Sequence, residues 1–175
     1  TNRYAKYFGF TEEEIQIICD SEHLDDLKSW YNGYTFGDHL TIYNPWSILN
    51  FLSNDYKLEP YWINTSTNDL IKETLTADKL EDVKTLIEGG SIEVELEPFT
   101  VMDDLKTNPS SFWNLLFMAG LLTLDTNKNL RIPNQEIRYF FEKIVMERFG
   151  SVDNENIIKA LLQHLLKGNV EFVQY

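Results

Sequence analysis

Residues 31–49, YNGYTFGDHLTIYNPWSIL, constrain the fold more than any other stretch of the chain. Two glycines, a proline and recurring aromatics stand between two helical patterns, so the backbone must reverse here and then restart a helix. Gly33 takes the left-handed C-terminal position of a helix expected over 24–32. Residues 34–36 and 41–43 alternate in polarity around Gly37-Asp38, which predicts a small hairpin or a tight Ω-like loop. Asn44 caps the next helix, and Pro45 holds its first position, where a missing N–H costs nothing. That helix carries Trp46, Leu49 and Leu52 on one face.

The remaining punctuation is mostly helical. Thr11 with Glu14 three residues on forms a capping box and opens a helix through Cys19. Ser66 or Thr67 caps a helix to Leu75, and 77–88 predicts another, closed by Gly89-Gly90. Residues 91–96 alternate Ile92, Val94 and Leu96 with glutamates, the pattern of a half-buried strand. Asn108-Pro109 repeats the cap-and-proline device before an apolar helix over 111–120. Residues 121–124 and 130–132 flank the polar turn 125–129 and predict a β-hairpin. Asn134 then caps a helix to Phe149, and a last helix is expected over 154–166.

The fold class is therefore mainly α (α+β). A helical, lid-like bundle over 1–90 is interrupted by the aromatic loop. The order strand, helix, helix, β-hairpin, helix suggests a winged-helix-like unit over 91–149. Residues 150–175 are expected to form a helical connection.

Charge limits the partners. The formal net charge is −13, all of it accumulated early: up to residue 124, eight Lys and Arg face 21 Asp and Glu, and beyond it there are seven of each. An acidic surface repels a polyanion, so DNA binding is expected to be weak. The change of balance predicts a junction near 90–125. No apolar run reaches the roughly 18 residues of a membrane span, and no membrane partner is expected. The single cysteine, Cys19, rules out an internal disulfide, and a reducing cytoplasm is the expected location. It closes an apolar helix pattern with Ile15 and Ile18, the place of a small buried hydrophobe rather than a nucleophile.

No catalytic set is legible. The chain has no glycine-rich phosphate loop ending in Lys-Ser or Lys-Thr, and His23, His39 and His164 stand far apart without ligand spacing. Asp103-Asp104 and the series Glu93, Glu95, Glu97 raise the question of a metal. Their alternation with apolar residues makes the glutamates the wet face of a strand. No catalytic or metal-binding residue is assigned. Lys128 and Arg131 on the predicted hairpin, with Arg138 on the next helix, are candidates for nucleic-acid backbone contacts, as wings use such positions. Asp125, Glu136 and Glu142 are close by and leave this face nearly neutral, which favours ordinary solvated charges.

Five segments in order, YFGFTEEEI (7–15), WYNGYTFG (30–37), YNPWSILNFL (43–52), PYWINTSTNDLI (60–71) and IPNQEIRYFFE (132–142), resemble one family. It comprises the bacterial AAA-ATPase-like proteins with a restriction-endonuclease-like, PD-(D/E)XK domain at the C-terminus. The resemblance implies that this chain is the middle of such a protein, after the P-loop core and before the nuclease-like domain. It also implies that Tyr43, Asn44 and Pro45 lie near a nucleotide in the parent, where a lid helix would present its first proline to adenine and the aromatic would stack. The Walker motifs and nuclease carboxylates are not in the chain, so neither ATP hydrolysis nor DNA cleavage is assigned to it. ATP and magnesium are expected only with the ATPase core. The expected function is non-catalytic coupling, with that core and the nuclease-like domain of the same polypeptide as partners. The rival readings are a winged-helix DNA-binding factor and a protein-interaction module using exposed aromatics such as Tyr61 and Trp62.

Overall fold

Thr11 and Glu14 start the first α-helix as their spacing demands. The Glu14 N–H reaches the Thr11 hydroxyl (3.3 Å), and the Glu14 carboxylate accepts from the Thr11 N–H (2.8 Å). In the computed structural model, which describes residues 2–37, 40–62, 67–96 and 109–149, this helix is α1, Glu12–Ile18. A 3-10 helix precedes it and another leads into α2, Leu24–Tyr31. Gly33 follows with φ +100°, as a helix stop requires.

Strands β1, Tyr34–Phe36, and β2, Leu40–Ile42, form a hairpin, the first of the two expected alternatives, with Thr35 opposite Thr41 and the second strand one residue earlier than expected. Tyr43 continues the pairing by exchanging backbone hydrogen bonds with Phe10 (2.8 and 3.2 Å). Helix α3, Pro45–Ser53, begins on the Asn44 cap with Pro45 in its first turn. It buries Ser47, Ile48 and Phe51, so the Trp46–Leu49 side faces outward instead. Both sides are apolar, and the buried one also carries a polar contact of Ser47 described below.

The second part contains α4 (Thr67–Thr74), α5 (Leu80–Ile87), α6 (Pro109–Met118), β3 (Thr123–Leu124), β4 (Leu130–Arg131) and α7 (Gln135–Phe149). The β3–β4 turn follows the predicted 125–129 segment: Asp125 Oδ1 accepts from the Asn127 and Asn129 N–H groups, and Lys128 has φ +66°. The strand expected over 91–96 is reduced to one bridge, Ile92 to Leu130. Its alternation survives, with Ile92 buried and Glu93 and Glu95 exposed, but β4 offers only two residues to pair with. The caps expected at Ser66 and Asn108, the side chains of His39, His164, Glu97, Asp103 and Asp104, and the 150–175 connection lie outside the described residues.

Apolar side chains gather in two clusters. One joins Ile15, Leu27, Tyr31, Tyr43, Ile48 and Phe51; Cys19 belongs to it, and burial pushes its thiol up. The other runs from Ile71 to Val145, so α4 and α5 share their core with α6, the second hairpin and α7. The chain is thus mainly helical with small antiparallel hairpins, and no helix among the described residues is long and apolar enough to cross a membrane.

Candidate functional site

The two parts meet along a polar seam built from the starts of α3 and α7 and the segment 59–62. At its edge, the Arg131 guanidinium donates to the Gly33 carbonyl (2.9 Å) and to that of Ile132 (3.3 Å). Asn134 caps α7 by accepting from the Ile137 N–H (3.1 Å), while its amide donates to the Asn32 carbonyl (2.8 Å). A Cβ on Gly33 would stand 2.0 Å from the Pro133 carbonyl oxygen, so the backbones touch here. The hairpins join as well, since the Thr35 N–H donates to the Thr123 hydroxyl (3.0 Å).

Glu136 lies at the centre of the seam, in the first turn of α7, with no solvent exposure. Its carboxylate accepts from the Ser47 hydroxyl (2.8 and 3.1 Å) and the Trp62 N–H (2.6 Å). None of the ion pairs among the described residues includes it. Burial raises its carboxyl to about 7, against the opposing help of the Trp62 N–H, the Ser47 hydroxyl and the Tyr61 N–H. The Tyr34 hydroxyl is buried beside the Asn44 and Asn134 side chains, without a well-formed hydrogen bond to either. Segment 59–62 is held from two more sides: Tyr31 exchanges hydrogen bonds with Glu59 (2.9 and 3.0 Å), and the Trp46 indole donates to the Tyr61 carbonyl (3.2 Å).

Tyr43, Asn44 and Pro45 sit at the rim of this seam. Tyr43 is fully buried, its hydroxyl donating to Glu12 (2.7 Å), so its ring has no free face for a base. Asn44 is buried and spends its side-chain oxygen on the Trp46 N–H (3.0 Å). Pro45 is half-buried, and the aromatic exposed next to it is Trp46.

Lys128, Arg131 and Arg138 are placed for different tasks. Lys128 is exposed at the hairpin tip, whereas Arg131 is bound to the Gly33 turn. Arg138 is half-buried on α7 near Gly89, and its positive charge partly offsets the burial that raises the Glu142 carboxyl. The neutralising role expected of Glu136 and Glu142 is corrected, because both are buried and do not share a solvated face with Lys128. Tyr61 and Trp62, expected as exposed aromatics, are half-buried against the seam. Sequence reasoning missed Ser47 and Glu136 as a pair. The available signal was a serine between apolar residues on the inward side of α3.

Large exposed apolar side chains are concentrated elsewhere. Of ten among the described residues, eight lie between Tyr4 and Tyr56, including Tyr7, Phe8, Ile17 at 83%, Trp46 at 56% and Leu49 at 55%. No protein-family model, curated protein or solved structure matches the chain.

Proposed function

We propose that this chain is a non-catalytic coupling region of a larger ATPase–nuclease protein, relaying the state of a nucleotide-binding core to a nuclease-like effector. The observation that carries this reading is the exposed apolar surface of the N-terminal helices. Singly exposed apolar residues are ordinary, but their concentration in one part of the chain is what a docking surface requires. In this reading the ATPase core of the same polypeptide covers Tyr7, Phe8, Ile17, Trp46 and Leu49. Helix α3 then links that interface to α7, because its outer side meets the core while Ser47 on its inner side meets Glu136. Nucleotide contact through Tyr43 is not part of the proposal, since its ring is buried; Trp46 and Pro45 form the accessible edge at that helix start.

The test is to read the open reading frame on both sides and express its upstream segment separately. A phosphate-binding loop upstream, and association of that segment with this chain weakened at least about tenfold by Trp46→Ala with Leu49→Ser, is the expected result, a loss in keeping with removing two interface anchors. An upstream segment without such a loop, or binding indifferent to both substitutions, overturns the reading.

A further inference from the structure

A fully buried carboxylate that joins three parts of the chain and has no cationic partner among the described residues is an unusual way to secure a seam. Ordinary glutamates at such places pair with Arg or Lys, because desolvating a lone charge is costly. Glu136 instead faces hydrogen-bond donors that carry no charge, the Ser47 hydroxyl from α3 and the Trp62 amide, while the neighbouring Tyr61 amide donates to the Glu59 carbonyl. The titratable groups around it are of the same kind. Tyr31 of α2, Tyr34 of β1 and Tyr61 all feel its charge, and Glu59 stands beside Tyr31 with another negative charge. On α7 itself the nearest basic group in sequence, Arg138, acts on Glu142.

We propose that Glu136 is a proton-controlled latch, which clamps α3 and the segment 59–62 onto α7 when its carboxyl is protonated and loosens them when it ionises. The geometry allows both states. A protonated acid can donate to the Ser47 oxygen, which lies 2.8 Å away, while its second oxygen still accepts from the Trp62 N–H. Once the proton is lost, a full negative charge remains in an apolar seam beside tyrosines, and the uncharged donors offset only part of its desolvation. Opening the seam lets water reach the carboxylate. The closed latch therefore holds its proton to about neutral pH, whereas an exposed glutamate sheds it more than two units lower. Each such unit is a factor of ten in the opening equilibrium. The inference is independent of what covers the N-terminal helices.

Two measurements on the whole chain test it. The first is hydrogen exchange of the Trp62 amide, expressed as protection relative to the unfolded rate at each pH. Protection should fall about tenfold or more between pH 5.5 and 8, in line with at least one unit of linkage. The fall should vanish in Glu136→Gln and persist in Glu142→Gln. The second is a titration of carbon-13-labelled glutamate carboxyls, in which one resonance should titrate near neutral pH and move to a higher midpoint in Ser47→Ala. An unchanged fall in Glu136→Gln overturns the proposal. Should Glu136→Gln fail to fold, the carboxyl titration decides: no near-neutral resonance, or one indifferent to Ser47→Ala, overturns it equally.

Discussion

Gly33 and Gly120 both adopt a left-handed backbone, yet they are not equivalent. At Gly120, φ is +73° and an added Cβ meets nothing within 4 Å, so alanine there costs only the backbone strain, about 1–2 kcal/mol. At Gly33, φ is +100° and the added Cβ would sit 2.0 Å from the Pro133 carbonyl oxygen. The clash cannot relax locally, because Asn134 holds Asn32 and Arg131 holds Gly33 from the same side. Gly33→Ala should therefore cost at least about 3 kcal/mol, strain and steric repulsion together. Chemical denaturation of both variants checks this, and equal losses would mean that the 31–34 turn does not press on the 131–134 segment. The residue that looked like a simple helix stop is thus also a point of close backbone approach between the two parts.

At the scale of the element, α3 is where local and tertiary forces separate. Its start is local: Asn44 accepts from the Trp46 N–H and Pro45 is pre-set for the first turn. Asn44→Ala should cost about 1–2 kcal/mol, since the lost cap is also buried, whereas Pro45→Ala should stay within about 1 kcal/mol. Parallel thermal melts would show the difference, and a larger loss at Pro45 would contradict the cap. Signals of this local sort were legible in the sequence: the Thr11–Glu14 box, the Gly33 stop, the Asn134 cap and both hairpins. The orientation of α3 was not. Trp46, Leu49 and Leu52 make one apolar face and Ile48 and Phe51 another, so periodicity could not choose between them. The buried side packs Ile48 and Phe51 into the first cluster and lets Ser47 reach Glu136, 89 residues away in sequence, contacts that no local pattern encodes. The same reason hid the seam, because Glu136 in the first turn of α7 reads as a helix-start acid in water. The shortened strand at Ile92 differs in kind, since its alternation was right and only its pairing partner was short.

For the molecule as a whole, the carboxylates divide into two groups with opposite effects on stability. Hydrogen bonds hold Asp78 and Asp125 below their ordinary range, Thr76 acting on the first and the Asn129 N–H on the second; the Lys72 contact does so for Glu147. These groups favour the folded state above the unfolded carboxylate range, and that contribution is lost as pH falls through their lowered values. Burial raises Glu136 to about 7 and raises Glu142 as well. Between pH 4.5, the ordinary value, and about 7, folded Glu136 keeps a proton that the unfolded chain has released. Raising the pH through that window therefore removes stability, up to about 3 kcal/mol for a shift of this size. Above pH 7 both states are ionised, and this contribution stays flat at its lower level. Self-repulsion in a chain of net charge −13 acts in the same direction, because mild acid neutralises part of it. The melting temperature should therefore peak near pH 5, fall by about 5–10 °C on the way to pH 7.5, and fall again below pH 4. Most of the decline above pH 5 should disappear in Glu136→Gln, leaving the acid limb in place. A melting temperature that climbs steadily from pH 5 to 7.5 would mean that the seam does not bury an unpaired carboxylate.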